Sequence, residues 1–254
     1  MRAIHPSMDT FPLHRVPLTR PFIWLAEGWD GLMHSPGASL AYGVIISFLG
    51  ALILAYQQHP LYVGLALTAF LVVGPVITAG VCELSRCRDH GAQCDFQRSL
   101  EVVTRNRERL FQFACVLATI AIAGIAIAGL FLLASGDSVA PSLNSTVWGD
   151  VLDRLSPHQL TAYATTFLVI CAIVFALSVV SVPMIIDRHV TPRVAMRTSA
   201  RAFLRDFPAM ILWALIIVAL VAFGFGTRLW GMILVVPLLG HATWYAYRDI
   251  VEEA

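Results

Sequence analysis

Residues 31–82 read GLMHSPGASLAYGVIISFLGALILAYQQHPLYVGLALTAFLVVGPVITAGVC and contain no Asp, Glu, Lys or Arg. One membrane-spanning helix needs about 20 apolar residues, so this run is too long for one and long enough for two. Gln57-Gln58-His59-Pro60 interrupts it with a turn signal. The stretch therefore predicts a helical hairpin with spans over about 38–56 and 61–83.

Working outward, the same grammar repeats. Charge-free runs cover Leu110–Gly136, Leu155–Ile186, Phe207–Thr227 and Leu229–Tyr247. They predict spans over about 111–134, 163–186, 208–225 and 229–247. The expected fold is all-α: a polytopic six-helix transmembrane bundle, with an N-terminal tail over 1–20 and one transmembrane domain over 21–254. Composition points the same way. Hydrophobic residues are 58% of the chain and charged residues 13%, against about 25% charged in soluble domains.

Orientation follows from arginine, since all 17 basic residues are arginine. Arg2, Arg15 and Arg20 precede the first span; Arg86, Arg88, Arg98, Arg105, Arg107 and Arg109 follow the second. Arg188, Arg193, Arg197, Arg201 and Arg205 follow the fourth, and Arg248 follows the sixth. Only Arg154 and Arg228 fall on the opposite side. By the positive-inside rule the chain is expected in the bacterial inner membrane with both termini cytoplasmic. The turn at 57–60 and the Asp137–Asp153 loop are then periplasmic. The arginines border apolar helices and form no basic domain with stacking aromatics, so nucleic acid is not an expected partner.

Three copies of one unit are also legible. Each begins with an amphipathic segment: Phe22, Leu25, Trp29 and Leu32 in the first, Phe96, Leu100 and Val103 in the second, Met196, Ala200 and Phe203 in the third. Each even-numbered span carries a proline, Pro75, Pro183 or Pro237, which frees a backbone carbonyl and bends the helix. Beyond each lies an acid with an arginine: Glu83 with Arg86, Asp187 with Arg188, Arg248 with Asp249. These six predict an ionic collar where lipid gives way to water, its arginines reaching anionic head groups, so bound phospholipid is expected. In the first span Gly43, Ser47 and Ala51 form a stripe of small residues suited to close helix packing.

Candidate chemistry is sparse. His241 is the only histidine well inside a span, and a polar group at that depth is a functional candidate. It could ligate haem, which needs an axial partner or an open pocket. It could instead hydrogen-bond within the bundle, to Thr243 or to a carbonyl freed by proline. Cys82, Cys87, His90 and Cys94 form a C-x4-C-x2-H-x3-C spacing, and Cys87, His90 and Cys94 are the candidate metal ligands, with zinc the natural ion for thiolate and imidazole. No resident cofactor is predicted. No G-x-S-x-G or H-E-x-x-H is present, and without lysine there is no Walker motif. No acid lies deep in a span, which argues against a proton pump.

Several stretches resemble a known bacterial membrane family. Val73-Gly74-Pro75 through Cys82-Glu83-Leu84-Ser85-Arg86, Ser181-Val182-Pro183-Met184 with Asp187-Arg188, and Thr198-Ser199-Ala200-Arg201-Ala202 with Pro208 and Trp213 are similar to DUF2189 sequences. The run from Pro237 to Asp249 is the most specific. Relatives often carry histidine where this chain has Tyr245, and arginine where it has Cys87. Some members bear a label tying them to cytochrome c oxidase subunit I, so the resemblance implies respiratory membranes. This chain lacks the histidine set that holds haem and copper in that subunit. The function expected is an accessory or assembly subunit of a respiratory membrane complex, such as a haem-copper cytochrome oxidase, with no redox centre or catalysis of its own. Its partners would be the lipid bilayer and other integral membrane subunits. A small-solute or anion channel or transporter is the alternative, built around bent helices with freed carbonyls.

Overall fold

A computed structural model describes residues 11–55, 60–92, 94–134 and 156–251. Residues 56–59, the whole Asp137–Asp153 loop, and Arg2 and Arg154 lie outside the described residues. Among the described residues the fold is all-helical, apart from one isolated antiparallel bridge between Leu13 and Val251. Ten helices follow in order: α1 Arg20–His34, α2 Pro36–Ala55, α3 Pro60–Asp89, α4 Phe96–Arg105, α5 Arg107–Ala134, α6 Pro157–Ser178, α7 Ser181–Arg188, α8 Pro192–Arg205, α9 Phe207–Gly226 and α10 Met232–Ile250.

Short polar residues punctuate the chain between amphipathic and apolar helices. Ser35 separates α1 from α2, which turn through 107°. Asn106 separates α4 from α5, and Asp206 separates α8 from α9. Asn106 and Asp206 are buried. A carboxylate before α9 also complements the positive end of the helix dipole. α4 starts where the Asp95 side chain accepts from the Arg98 N–H at 2.8 Å. α6 starts at a reciprocal capping box between Ser156 and Gln159.

The three prolines have different local outcomes. Pro75 and Pro237 sit inside continuous helices. Before Pro183 the helix breaks at Val179–Val180 instead, dividing the expected fourth span into α6 and α7. Ser199 of α8 inserts there. Its Oγ donates to the Ala176 carbonyl at 2.7 Å and receives the Val180 N–H at 3.5 Å, standing in for the lost turn. Pairing these backbone groups matters because each orphaned one is costly away from water.

α10 is the hub and packs against α1, α2, α3, α7 and α9. Glycines set the close approaches. A Cβ on Gly28 would meet the Ala242 backbone at 2.8 Å, one on Gly31 would meet His241, and one on Gly240 would meet Val81 at 2.7 Å. At Gly43 it would collide with the Ile233 carbonyl. The stripe of small residues in α2 therefore faces α10 inside the molecule. Ser47 adds a hydrogen bond to the Leu229 carbonyl at 3.2 Å, while Ala51 is exposed.

These contacts select the buried face of α1, which is Pro21, Trp24, Gly28, Gly31 and Leu32. Of the apolar set Phe22, Leu25, Trp29 and Leu32, only Leu32 lies on it; Phe22 and Trp29 point outward at 57% and 44% exposure. The close backbone approaches at Gly28 and Gly31 lie on the same face. In α4 likewise Val103 is buried while Leu100 is exposed. Trp24, Trp213 and Trp244 are almost fully buried, and Trp24 meets Trp213 edge to face at 5.7 Å.

The outer faces are apolar. Phe207–Gly226 has a mean hydropathy of 2.6 with only 22% of its best window buried, and the Pro157–Arg188 run has 2.8. Among the described residues these two are long and apolar enough to cross a membrane, and α1 with α2 qualifies as a bent pair. Phe167, Leu168, Leu215, Val218 and Phe223 are exposed on α6 and α9. An apolar surface this extensive is suited to lipid rather than water.

Candidate functional site

The polar chemistry gathers at the arginine-rich end and just beneath it. Three carboxylates are held there, each by an arginine and an aromatic donor. Asp249 of α10 receives Arg20 of α1 at 2.5 and 2.8 Å and the Trp24 indole N–H at 2.6 Å. Asp89 of α3 receives Arg248 and the Trp244 indole, each at 2.7 Å. Asp187 of α7 receives the Tyr247 hydroxyl at 2.7 Å and lies 3.4 Å from Arg188. Charge-assisted bonds of this kind are about twice as strong as neutral ones.

The arrangement departs from the expected pairing within sequence neighbours. Glu83 does pair with Arg86, at 2.7 and 3.1 Å, and Asp187 with Arg188. Arg248 and Asp249 instead reach apart, to Asp89 and Arg20. They are adjacent in the helix and so point to different neighbours, which lets one turn of α10 join both α1 and α3. Sequence reading missed Arg20, Trp24, Asp89 and Trp244 as members of this layer. The available signal was the repeated Arg-Asp pair, Arg88-Asp89 and Arg248-Asp249, ending α3 and α10.

The ion pairs shift the charged groups at this end. The Asp249 hydrogen bond raises the Arg20 guanidinium above its ordinary value, against partial burial. The Glu83 hydrogen bond does the same for Arg86. Glu27 on α1 is raised chiefly by burial and then by the charges of Asp249 and Asp89, with Arg20 and Arg248 opposing. A cleft of about 210 Å³ lies among Asp89, His90, Asp187, Arg188, Tyr247 and Arg248. Its lining acids and arginines balance, so it offers no excess charge of either sign.

His241 lies beneath this layer and is fully buried. Ser39 Oγ of α2 is 2.8 Å from its Nε2, and Ser85 Oγ of α3 is 2.6 Å from its Nδ1. Neutral imidazole has one donor and one acceptor nitrogen, and serine can complement either. Both nitrogens are therefore occupied. The partners are serines from other helices, not Thr243, whose hydroxyl donates to the Leu239 carbonyl at 2.7 Å. The bonds tie α2, α3 and α10 at one point.

The three thiols of the spaced Cys82–Cys94 set separate into two settings. Cys82 is buried, with its Sγ 3.5 Å from the Gly240 carbonyl between α3 and α10. Cys87 and Cys94 lie together with Glu83, and their ligand atoms are within 4.8 Å of one another. His90 is not among them. It is exposed, with Nδ1 2.9 Å from the Arg86 carbonyl. Helical geometry explains the exchange: Glu83 and Cys87 are four residues apart on one face of α3, whereas His90 comes after the helix has ended. Burial, with help from Cys94 and Glu83, pushes the Cys87 thiol up to about 12.

A further cleft of about 220 Å³ opens beside Pro75, between α3, α5, α6, α7, α9 and α10. Thr78, Ser178 and Thr243 lie on it, and each hydroxyl donates to a carbonyl of its own helix. Phe113, Leu117, Phe175, Trp213 and Ile217 make the remainder largely apolar.

Residues 63–187 match the model of the DUF2189 family, described as a predicted integral membrane protein. The matched segment, just under half of the chain, includes Pro75, Glu83, Arg86 and Asp187. No curated protein and no solved structure matches the chain.

Proposed function

We propose that this integral membrane protein is an accessory or assembly subunit of a respiratory membrane complex, without a redox centre or catalysis of its own. The observation that carries the reading is the state of His241. Its ring is fully buried, and both ring nitrogens are engaged by Ser39 and Ser85. Those two bonds make it a cross-link between helices, which supports a reading without a redox centre at this residue. The exposed apolar faces of α5, α6 and α9 provide area for lipid and for other membrane subunits. The respiratory assignment comes from the resemblance to labelled DUF2189 members.

The architecture that fits this role is six spans in three pseudo-repeats, in the bacterial inner membrane with both termini cytoplasmic. The helix order supports it: α1 and α8 each lead into one long apolar helix and then one with an internal proline, and α4 leads into α5 and then the broken α6–α7 pair that carries Pro183. Phospholipid would occupy the outer faces. A channel would instead need a polar path to His241. The cleft beside Pro75 is mainly apolar and does not include that residue.

Purification of the native protein in mild detergent tests the function directly. Respiratory subunits should co-migrate with it through a native gel and sizing column. A protein that runs alone at endogenous expression overturns the assignment.

A further inference from the structure

Glu83, Cys87 and Cys94 bring two sulfur atoms and a carboxylate oxygen together at the junction of α3 and α4. Cys87 Sγ is 3.6 Å from Glu83 Oε1. In a tetrahedral zinc site, with metal–sulfur bonds of about 2.3 Å and metal–oxygen bonds of about 2.0–2.2 Å, neighbouring ligand atoms stand roughly 3.5–3.8 Å apart. The observed cluster needs at most a contraction of about 1 Å to reach that geometry. Glu83 and Cys87 are buried, and Cys94 is half-buried at the mouth.

We propose that Glu83, Cys87 and Cys94 form a binding site for a borderline-soft divalent metal ion of the zinc class. Two thiolates suit such an ion better than magnesium or calcium, which take oxygen ligands. Binding requires the Cys87 and Cys94 thiols to release their protons to water, while the Glu83 carboxylate enters already paired with Arg86. Two thiolates, one carboxylate, one divalent ion and the Arg86 guanidinium then sum to zero charge, as a buried cluster requires. Arg86 also fixes the carboxylate by donating to Oε2 at 2.7 Å and to Oε1 at 3.1 Å, which holds Oε1 on the side of Cys87. That is the usual outer-shell duty of orienting a ligand. The three protein ligands leave a fourth position at the Cys94 mouth for water or an exchangeable donor. The ion would staple the end of α3 to the segment that starts α4.

This inference is independent of the respiratory assignment and differs from the sequence expectation in its ligand set, with Glu83 in the place of His90. The test is cobalt(II) titration of the reduced, chelator-treated full chain in detergent. One cobalt per chain should appear, with tetrahedral visible bands and a thiolate-to-cobalt charge-transfer band. The charge-transfer band should be lost in Cys87→Ser and in Cys94→Ser and kept in His90→Ala and Cys82→Ser. Because Cys94 is half-buried at the edge of the fold, Cys94→Ser provides a readout on folded protein, checked by its circular dichroism. No charge-transfer band in the unmutated chain, a band that survives Cys94→Ser, or a band lost in His90→Ala overturns the site.

Discussion

Trp24 Nε1 stands 2.6 Å from Asp249 Oδ2, so an indole buried in α1 and a carboxylate near the end of α10 share one hydrogen bond across 225 residues of sequence. The same carboxylate takes both arms of Arg20. Trp24→Phe keeps the ring packing and removes the bond, so it should cost about 1–2 kcal/mol. Asp249→Asn weakens both partners and should cost more, about 2 kcal/mol or above. Unfolding midpoints of the two variants in detergent check the order. Equal midpoints for all three proteins would mean the layer contributes nothing.

His241→Ala should leave the Ser39 and Ser85 hydroxyls without their shared partner in a closed space. The expected loss is about 2–4 kcal/mol, from two unsatisfied hydroxyls and a cavity. Ser39→Ala and Ser85→Ala should each cost less than this, since one bond remains. Purified protein should be colourless, and a Soret band that disappears in His241→Ala would return haem to the site.

Gly43→Ala places a methyl group against the Ile233 carbonyl, which cannot rotate away. Forcing α2 and α10 apart should cost about 2 kcal/mol or more. Gly37→Ala is the control. It has nothing within 4 Å of the new carbon and lies in the same helix, so it should be neutral or stabilise by up to about 1 kcal/mol. A thermal-melt series separates the two.

Glu27 gives a pH-dependent test. Its folded value is raised above 4.5, mainly by burial, so the folded state holds the proton more tightly than the unfolded state. The group therefore favours folding in acid, and that contribution is lost as pH rises through the folded value. Glu27→Gln should stabilise modestly at neutral pH, by less than about 1 kcal/mol because the site is partly exposed. The gain should vanish well below 4.5. A gain that persists unchanged in acid would point to a cause other than ionisation.

Topology can be read by reporter fusions. Fusions at Gln58, Ser145 and Thr227 should report periplasm, and those at Gln93, Arg193 and the region after Arg248 should report cytoplasm. A cytoplasmic signal at Thr227 would remove the fifth span and reverse the orientation of α10.

Part of the helix layout was legible because a long charge-free run marks apolar helix. The charge-free run at 31–82 announced α2 and α3, and Pro183 announced a disturbance in the helix over 157–188. What stayed hidden was pairing. Nothing in the spacing of His241 identifies Ser39 or Ser85, because hydroxyls are common in such helices and depth alone does not set register. Glu83 escaped the thiol cluster for a related reason. An acid beside an arginine reads as an ion pair, and only the shared helix face reveals that the paired carboxylate also meets Cys87. The burial of Trp24 in place of Trp29 likewise depended on Gly28 and Gly31, whose value lies in the missing side chain.

The position of α10 in the chain bears on biogenesis. Domains form from the N-terminal side during synthesis, at about 5–20 residues per second, yet every major partner of α10 precedes it. Until that helix is inserted, Ser39 and Ser85 lack their imidazole, Gly28 and Gly43 face no neighbour, and Arg20 and Trp24 have no carboxylate. The nascent protein thus lacks the helix against which α1, α2 and α3 pack. Nonsense and frameshift lesions near position 230 should consequently resemble complete loss of the gene product, with the unfinished assembly cleared by membrane proteolysis.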